Sequence, residues 1–395
     1  MSVTCLVRQP IFDRKQALLG YDIRYRESDD GRSAFTESFV SGMFDLVRGG
    51  FPAFVTCSRA QILERAFLAS NPAKVIVVVP SDVAPDHDIV AALTEIRAAG
   101  GHVALDDLTG DVAPCEGLAS VADWVRIDMR CEDASVIQGI CDRVPDRKIR
   151  RIADHVHDAG QYDLAVKLGF DAFSGAFFSR AEPLPATGLP ASTVAALRVL
   201  GLARNENVSD RNLETAISVD PVLTFQLLRL VNSAAIGARG VDSIGHALRL
   251  IGRNEFLRWL SLAVAASRRG QSGVDQHLVR QAVERGRLLE QLGGSGRDPS
   301  TLFLVGMFSL LDAVFRMPLE DIVRQVALSD DAKDALLDRE GPYADALAFA
   351  EAYELGLFES AAELAETMSI PAGQLPALYA DAVKWTADAL GGMAR

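Results

Sequence analysis

The chain has 395 residues, of which 49% are apolar, so it is long enough for two domains with substantial cores. Its formal net charge of −13 disfavours broad attraction to nucleic acid or to an anionic membrane. The five cysteines form no CxxC pair, which favours reduced thiols over a disulfide framework or a zinc site. The first residues show no apolar signal region and no apolar run is long enough to span a bilayer, so we expect a cytoplasmic protein.

The first half alternates short β-rich runs with helix-like stretches. The runs are VTCLVRQPIFD, LLGYDIRYR, PAFVTCS, KVIVVVP, HVALDD, WVRIDM, KIRRIAD and FDAFSGAFF. About eight strands alternating with helices predict parallel β/α units closed into a barrel. Fewer than 190 residues is small for such a barrel, so we expect a small or incomplete barrel in which some helices are short or missing.

A stretch with three prolines and a glycine, RAEPLPATGLPAS (180–192), predicts a domain boundary. We therefore expect an α/β barrel over 1–185 and an all-α domain over 186–395. In the second half, DPVLTFQLLRLVNSAA (220–235) is typical of an amphipathic helix with an N-terminal Asp-Pro. The apolar run 301–315 predicts one buried core helix.

Charge is divided unevenly within the second half. Residues 229–297 carry a net charge of +6 and residues 298–395 a net charge of −11. One interpretation is that the two segments neutralise each other by packing together, and the other is a basic face for an anionic partner. We favour the first; charge reversal at Arg268 and Arg269 would test the second.

Several acids of the first half fall at or near the ends of predicted strands, where barrel enzymes keep their active residues. They are Asp22, Asp106, Asp107, Asp128 and Asp154. Converging carboxylates can hold magnesium and activate water against a phosphodiester, but acids at such positions also serve as helix caps. The H-x-H pair at 155–157 has no third histidine or cysteine nearby in sequence, so a coincidental pair is favoured over a metal site.

Four segments of the first half resemble EAL domains, the cyclic di-GMP phosphodiesterase family, and keep the family order over residues 3 to about 183. RQPIFDRKQALLGYDIRYR resembles the opening that leads to the E-A-L signature, and ALDDLTGD resembles D-D-F-G-T-G. WVRIDMR resembles the K-I-D strand, and IADHVHDAGQYDLAVKLGFDAFSGAFFSR the A-E-G-V-E and Q-G-Y segments. Gln9, Arg26, Asp106 and Asp107 match the family pattern.

The departures from that pattern fall on the residues that the resemblance would make functional. The family's metal-binding asparagine and glutamate of the third and fourth strands fall on Thr56 and Val78. Its signature glutamate falls on Asp22, and the first glutamate of A-E-G-V-E falls on Asp154. An aspartate is one methylene shorter, whereas metal–ligand distances vary by only about 0.2 Å.

Two further departures concern the K-I-D lysine, which falls on Arg126, and the Q-G-Y glutamine, which falls on Ser174. Arginine stays protonated in proteins and cannot switch its proton state. We therefore expect a vestigial site with no metal and no cofactor, in which Asp106 and Asp107 serve as caps or bind an ion only weakly. Gln9 and Arg26 remain candidates for contact with a nucleotide.

The second half resembles HDOD domains, relatives of the HD and HD-GYP phosphohydrolases that lack the metal. The D-P-x-L-x-x-x-L-L-x-x-x-N-S-A core runs from Asp220 to Ala234. The catalytic His-Asp dyad of HD proteins falls on Ser309 and Leu310. Only two histidines follow residue 185, so we expect no metal-dependent hydrolysis here.

Both halves in this order resemble bacterial EAL–HDOD signalling proteins. The leading hypothesis is a signalling adaptor that is not an enzyme and acts through contacts with other signalling proteins. The first alternative is a receptor that binds cyclic di-GMP without hydrolysis, and the second is a weak phosphodiesterase using Asp22, Asp106, Asp107 and Asp154. No nucleic acid and no membrane is expected as a partner. Because related EAL domains often dimerise, the resemblance also implies a homodimer.

Overall fold

The chain forms two compact units in the computed structural model. Unit 1 comprises the residues up to Phe178 together with Ser272–Val274 and Ala352–Phe358, and unit 2 comprises the remainder. The structure describes residues 5–26, 51–65, 68, 72–106, 117–130, 133–144, 148–179, 191–205, 207–218, 227, 244–266, 272–293, 297–324 and 328–394. The predicted boundary at 185 lies outside these residues and stays a prediction.

Unit 1 contains the predicted barrel, and the barrel is closed. Its strands are β1 (Cys5–Asp13), β2 (Leu18–Arg26), β3 (Ala53–Thr56), β4 (Val75–Val79), β5 (His102–Leu105), β6 (Trp124–Asp128), β7 (Arg150–Asp154) and β8 (Ala172–Ser174). Each strand pairs with its sequence neighbours and β8 closes onto β1. The predicted barrel is therefore confirmed, and its sheet keeps all eight strands.

The first strand departs from the predicted parallel arrangement, because β1 runs antiparallel to both β2 and β8. The turn after Asp13 explains this direction. The Asp13 carboxylate accepts hydrogen bonds from the backbone N–H groups of Lys15 and Ala17, and Gln16 adopts a left-handed φ of 59°. Such a tight turn joins antiparallel strands, whereas a parallel pair needs a long crossover.

Short helices lie in four of the connections between successive strands of the barrel, within the described residues. They are α1 (Arg59–Glu64), α2 (His87–Ala98), α3 (Ala134–Arg143) and α4 (Ala159–Lys167). Each begins after a polar N-cap whose side chain accepts a hydrogen bond from the first turn, such as Asp86 from the N–H of Ile89 and Asp158 from that of Gln161. The prediction of short helices is confirmed for this set.

The barrel interior is divided into an apolar lower part and a polar upper part. The apolar side chains come from alternate positions of the strands: Ile11, Phe54, Ile76, Val78, Ala104, Trp124, Ile152 and Ala172. The intervening strand residues pack outward in a second cluster with the helices. Because side chains alternate between the two faces of a strand, every second residue points into the barrel. Asp22, Arg126 and Asp154 are the inward residues that come after the apolar part, toward the carboxyl-terminal ends of the parallel strands.

The described residues of unit 2 form helices, as predicted. They are α5 (Ala191–Arg204), α6 (Asp210–Ser218), α7 (Ile244–Ala266), α8 (Gly273–Glu290), α9 (Pro299–Phe308), α10 (Leu311–Phe315), α11 (Leu319–Val323), α12 (Asp330–Leu337), α13 (Ala344–Glu354), α14 (Phe358–Thr367) and α15 (Leu375–Ala394). Gly273 and Val274 of α8 with the preceding Ser272, Ala352–Glu354 of α13 and Phe358 of α14 group with unit 1.

The apolar run 301–315 forms two helices rather than the predicted single one. The first ends at Phe308, and the short second helix begins at Leu311. The Asp220–Ala234 core, including Asn232 and Ser233, lies outside the described residues except for the buried Leu227.

Ion pairs join the basic and acidic segments of unit 2, in agreement with the favoured interpretation of their charges. Arg287 Nη2 lies 3.0 Å from Asp381 Oδ2, and Arg285 Nη1 lies 3.5 Å from Glu351 Oε1. Arg268 and Arg269 lie outside the described residues. In the part of the chain that the structure describes, no helix has the length and apolar character needed to cross a bilayer.

Candidate functional site

A cavity of about 900 Å³ opens at the carboxyl-terminal ends of the parallel strands. This is the end at which barrel enzymes place their reactive groups. Six predicted site residues line it: Asp22, Thr56, Asp106, Arg126, Asp128 and Asp154. The strand-end argument and the family resemblance therefore led to the same place in the structure.

The guanidinium of Arg126 lies at the centre of this group. Its Nη1 and Nη2 donate to the two carboxylate oxygens of Asp22 at 3.0 and 3.3 Å, and Nη2 donates to Asp154 Oδ2 at 2.5 Å. Its Nε lies 3.1 Å from Asp106 Oδ1. One arginine on β6 thus forms ion pairs with three acids from other strands. Asp22 lies within β2, Asp154 is the last residue of β7, and Asp106 directly follows β5.

Burial and charge act against each other in this cluster. Arg126, Asp22 and Asp154 are each at most 5% exposed. Burial alone lowers the pKa of the Arg126 guanidinium, but the charges of Asp154, Asp22 and Asp106 raise it well above its ordinary value. Burial alone raises the pKa of Asp154, and the charge of Arg126 outweighs that effect, so this pKa lies well below its ordinary value. The arginine is therefore a permanent cation beside an ionised Asp154.

The cluster leaves no place for a divalent ion between its carboxylates. Magnesium needs oxygen ligands at about 2.0–2.1 Å in octahedral geometry, whereas the guanidinium already occupies the space between three carboxylates. Among the described residues, no three His, Cys, Asp or Glu side chains are grouped so as to hold a metal. The residues present do not fit a metal ion while Arg126 is in place.

Two positions that differ from the EAL pattern, Val78 and Thr56, lie in the apolar core and in the cavity wall, respectively. Val78 is fully buried and belongs to the apolar cluster inside the barrel. Thr56 lines the cavity, and its backbone carbonyl accepts a 2.7 Å hydrogen bond from the Tyr25 hydroxyl. A third, Ser174, is 1% exposed, and within the described structure its hydroxyl has no hydrogen-bond partner.

The matched positions of the EAL pattern are only partly described. Gln9 is paired with Asp22 in the strand register, and its Nε2 donates to the backbone carbonyl of Glu354 at 3.1 Å. Arg26 ends β2, and its side chain lies outside the described part of the structure. Asp107 also lies outside it, so its predicted role as a cap or weak ligand stays a prediction.

Further charged side chains, among them the predicted strand-end acid Asp128, surround the central cluster. Arg24 Nε lies 3.2 Å from Asp22 Oδ2, and Asp128 is paired with Arg130 beyond the end of β6. Arg24 falls on the leucine position of the E-A-L signature that this segment resembles. A charged residue at a position where the family has an apolar one was the sequence signal for its role in the cavity. The five aspartates and four arginines of the lining give a formal net charge of −1.

The two histidines of the H-x-H pair do not lie on a strand, because β7 ends at Asp154. Their rings stack with centroids 6.3 Å apart. His155 has a left-handed φ of 57° and lines the cavity, with its Nε2 3.9 Å from Asp154 Oδ2. Burial lowers the pKa of His155.

In unit 2, an arginine contacts Ser309, one of the two positions on which the resemblance places the His-Asp dyad of HD proteins. Ser309 follows the last residue of α9, and its hydroxyl accepts a 2.8 Å hydrogen bond from Arg285 Nη1 and donates to the Gly306 carbonyl at 2.7 Å. Leu310 is 2% exposed. Within the described structure Asp312 Oδ1 has no hydrogen-bond partner, and burial raises the pKa of this carboxyl.

The geometry defines a barrel whose carboxyl-terminal cavity holds an arginine paired with three aspartates, together with a helical unit.

The family model of the HDOD domain matches residues 189–325, which confirms the predicted HDOD domain. YuxH of Bacillus subtilis strain 168 is 26% identical and covers 96% of this chain and 97% of its own length. The cyclic di-GMP phosphodiesterase CdgJ of Vibrio cholerae serotype O1 is also 26% identical, covering 90% of this chain and 85% of its own.

Solved structures of EAL domains are similar to part of the chain. The EAL domain protein from Listeria monocytogenes EGD-e is 17% identical and aligns with a TM-score of 0.36. That alignment covers 45% of this chain and 88% of the Listeria chain.

Proposed function

We propose that this chain is a non-catalytic adaptor in or near cyclic di-GMP signalling. The observation that carries the proposal is the Arg126 guanidinium between Asp22, Asp106 and Asp154. A permanent cation there repels a divalent ion and neutralises the carboxylates that would bind it. Val78, which points into the apolar interior, supplies no ligand oxygen.

Loss of the metal ligands removes the route by which two ions activate water against a phosphodiester. Within the Arg126 cluster, the carboxylates of Asp22, Asp106 and Asp154 are each engaged in an ion pair with the guanidinium. Arg126 is protonated and Asp154 is held ionised by it. The dyad position of unit 2 holds a serine and a leucine, which cannot form a His-Asp metal site. Binding to other signalling proteins is the function that remains for two such units.

The first alternative is a receptor that binds cyclic di-GMP without hydrolysis. A cavity of about 900 Å³ is within the usual size range of ligand pockets, and one relative is named for its action on this nucleotide. The net charge of the lining argues against it, because five aspartates oppose an anionic dinucleotide and the four arginines all have carboxylate partners. We therefore prefer the adaptor.

A calorimetric titration with cyclic di-GMP in magnesium, followed by chromatography of the nucleotide, separates the hypotheses. The adaptor gives no heat and an intact nucleotide. Binding with intact nucleotide makes the protein a receptor. Linear product that disappears in Asp106→Ala establishes the third hypothesis, a weak phosphodiesterase. The Asp82→Ala variant, which changes another acid of the cavity lining outside the Arg126 cluster, is the matched control.

A further inference from the structure

Unit 1 includes a segment far along the chain, Ala352–Phe358. Here α13 ends in a Schellman motif: the N–H of Leu357 donates to the Ala352 carbonyl at 2.9 Å, and the N–H of Gly356 donates to the Tyr353 carbonyl at 3.0 Å. Gly356 has the left-handed φ of 74° that this motif requires. The segment is therefore a defined turn.

This turn makes specific polar contacts with β1. The carbonyl of Glu354 is among the last of α13, which have no partner inside the helix, and it accepts the hydrogen bond from Gln9 Nε2. The hydroxyl of Tyr353 donates to the Leu6 carbonyl at 3.4 Å, and Tyr353 is 1% exposed. One end of the segment is thus fixed to the strand that carries a candidate nucleotide-binding residue.

The middle of the turn packs on Arg24, the arginine beside the central cluster. A Cβ on Gly356 would lie 3.0 Å from Arg24 Cδ and 3.8 Å from Val7 Cγ1, so only glycine allows this approach without a shift. The last residue, Phe358, lines the same cavity as Asp22 and Arg126. The segment therefore lies against Gln9 and Arg24 and forms part of the cavity wall.

We propose that Ala352–Phe358 is an internal occupant of the barrel mouth, and that it must leave before a nucleotide can enter. The amide hydrogen of Gln9 that donates to the Glu354 carbonyl is not available to a ligand while the segment is in place. In addition, Gly356 covers the stem of Arg24. Apparent affinity for a ligand falls in proportion to the fraction of molecules that are open. This inference goes beyond the proposed function and applies to a catalytic or a non-catalytic barrel alike.

Hydrogen–deuterium exchange of the full-length protein tests the contact itself. Gln9→Ala removes the hydrogen bond to Glu354, and we expect exchange of the amides in 352–358 to become about two- to tenfold faster, the usual effect of one hydrogen bond. Exchange in strands β4 to β7 stays unchanged if the barrel is intact. Equal exchange of 352–358 in the wild type and in Gln9→Ala would overturn the proposal.

Nucleotide binding tests the consequence, with Gly356→Ala as the opening variant. Gly341→Ala is a matched control, because Gly341 has a φ of 84° but a Cβ there would meet nothing closer than 3.8 Å. In calorimetry with cyclic di-GMP we expect Gly356→Ala to bind at least about tenfold more tightly than the wild type and Gly341→Ala to match the wild type. If Gly356→Ala binds no better than the wild type, or neither binds, this segment is not what excludes the nucleotide.

Discussion

The guanidinium of Arg126 and the carboxylate of Asp22 form a two-pronged ion pair inside the barrel, with N–O distances of 3.0 and 3.3 Å. The two residues are 104 positions apart and lie on strands β6 and β2. Paired hydrogen bonds of this kind suit arginine and not lysine. The geometry gives the arginine a structural role that a lysine could not fill in the same way.

Replacing Arg126 by methionine should destabilise the protein strongly. The change leaves Asp22 and Asp154 buried without a cation, and breaking a buried pair in this way costs about 3–5 kcal/mol. The free energy of unfolding from urea titration at pH 7 measures the loss. Arg130→Met, which removes a 61% exposed partner of Asp128, is the control and should cost about 1 kcal/mol or less. Equal losses in both variants would contradict a special role for Arg126.

Removing the arginine should also create an affinity for divalent ions. In Arg126→Ala, the carboxylates of Asp22, Asp106 and Asp154 have oxygen ligands to offer and a cavity in place of the guanidinium. We expect millimolar manganese to raise the thermal midpoint of the variant by several degrees, because an ion that binds only the folded state stabilises it. The wild type should not respond. A shift of the same size in the wild type would mean that the ion binds elsewhere.

The position of this cluster could be predicted from the sequence, but its internal contacts could not. Strand-end acids and the EAL motifs indicated Asp22, Asp106, Arg126 and Asp154, because strand ends of a barrel meet at one mouth. The substitution at Arg126 was interpreted as the loss of a proton-switching lysine. That it forms ion pairs with three acids depends on side-chain directions across a closed barrel, which residue spacing does not encode.

The contact between Gln9 and Glu354 had no sequence signal at all. The acceptor is a backbone carbonyl, which every residue carries, and 345 positions separate the partners. The antiparallel β1 was likewise missed, although Asp13 and Gln16 in a short connection offered a local signal for a tight turn. Local chemistry was therefore partly predictable, whereas contacts distant along the chain were not.

The Asp154–Arg126 pair should make stability depend on acidic pH. The pKa of Asp154 is depressed in the folded state, so its contribution is present above the unfolded pKa of about 3.9 and is lost as pH falls toward the folded pKa. Asp154→Asn should be less stable than the wild type by about 3–5 kcal/mol at pH 7. This difference should shrink as the pH falls below about 3.9. A difference that stays constant between pH 7 and pH 2 would show that charge is not its source.

Placing a carboxylate at position 78 should damage the apolar core of the barrel. Val78 is fully buried in the apolar cluster of the barrel interior, so Val78→Glu places an unpaired acid there and should cost at least about 3 kcal/mol. Val78→Ala, which only shortens the side chain, should cost about 2 kcal/mol. Chemical denaturation at pH 7 compares the two variants. A Val78→Glu protein as stable as Val78→Ala would mean that position 78 can reach solvent.

The buried Asp312 in unit 2 predicts the opposite pH dependence. Burial raises its pKa, so the ionised form is unfavourable in the folded state, and its Oδ1 has no hydrogen-bond partner among the described residues. Ionised Asp312 therefore lowers the free energy of unfolding above its folded-state pKa. This loss disappears below the unfolded pKa of about 3.9, where the carboxyl is protonated in both states. Asp312→Asn should therefore raise the thermal midpoint at pH 7 and lose this advantage near pH 3. The exposed Glu366→Gln, expected to change stability by about 0.5 kcal/mol at most, is the control. A lower midpoint for Asp312→Asn at pH 7 would show that the carboxylate is stabilised by its surroundings after all.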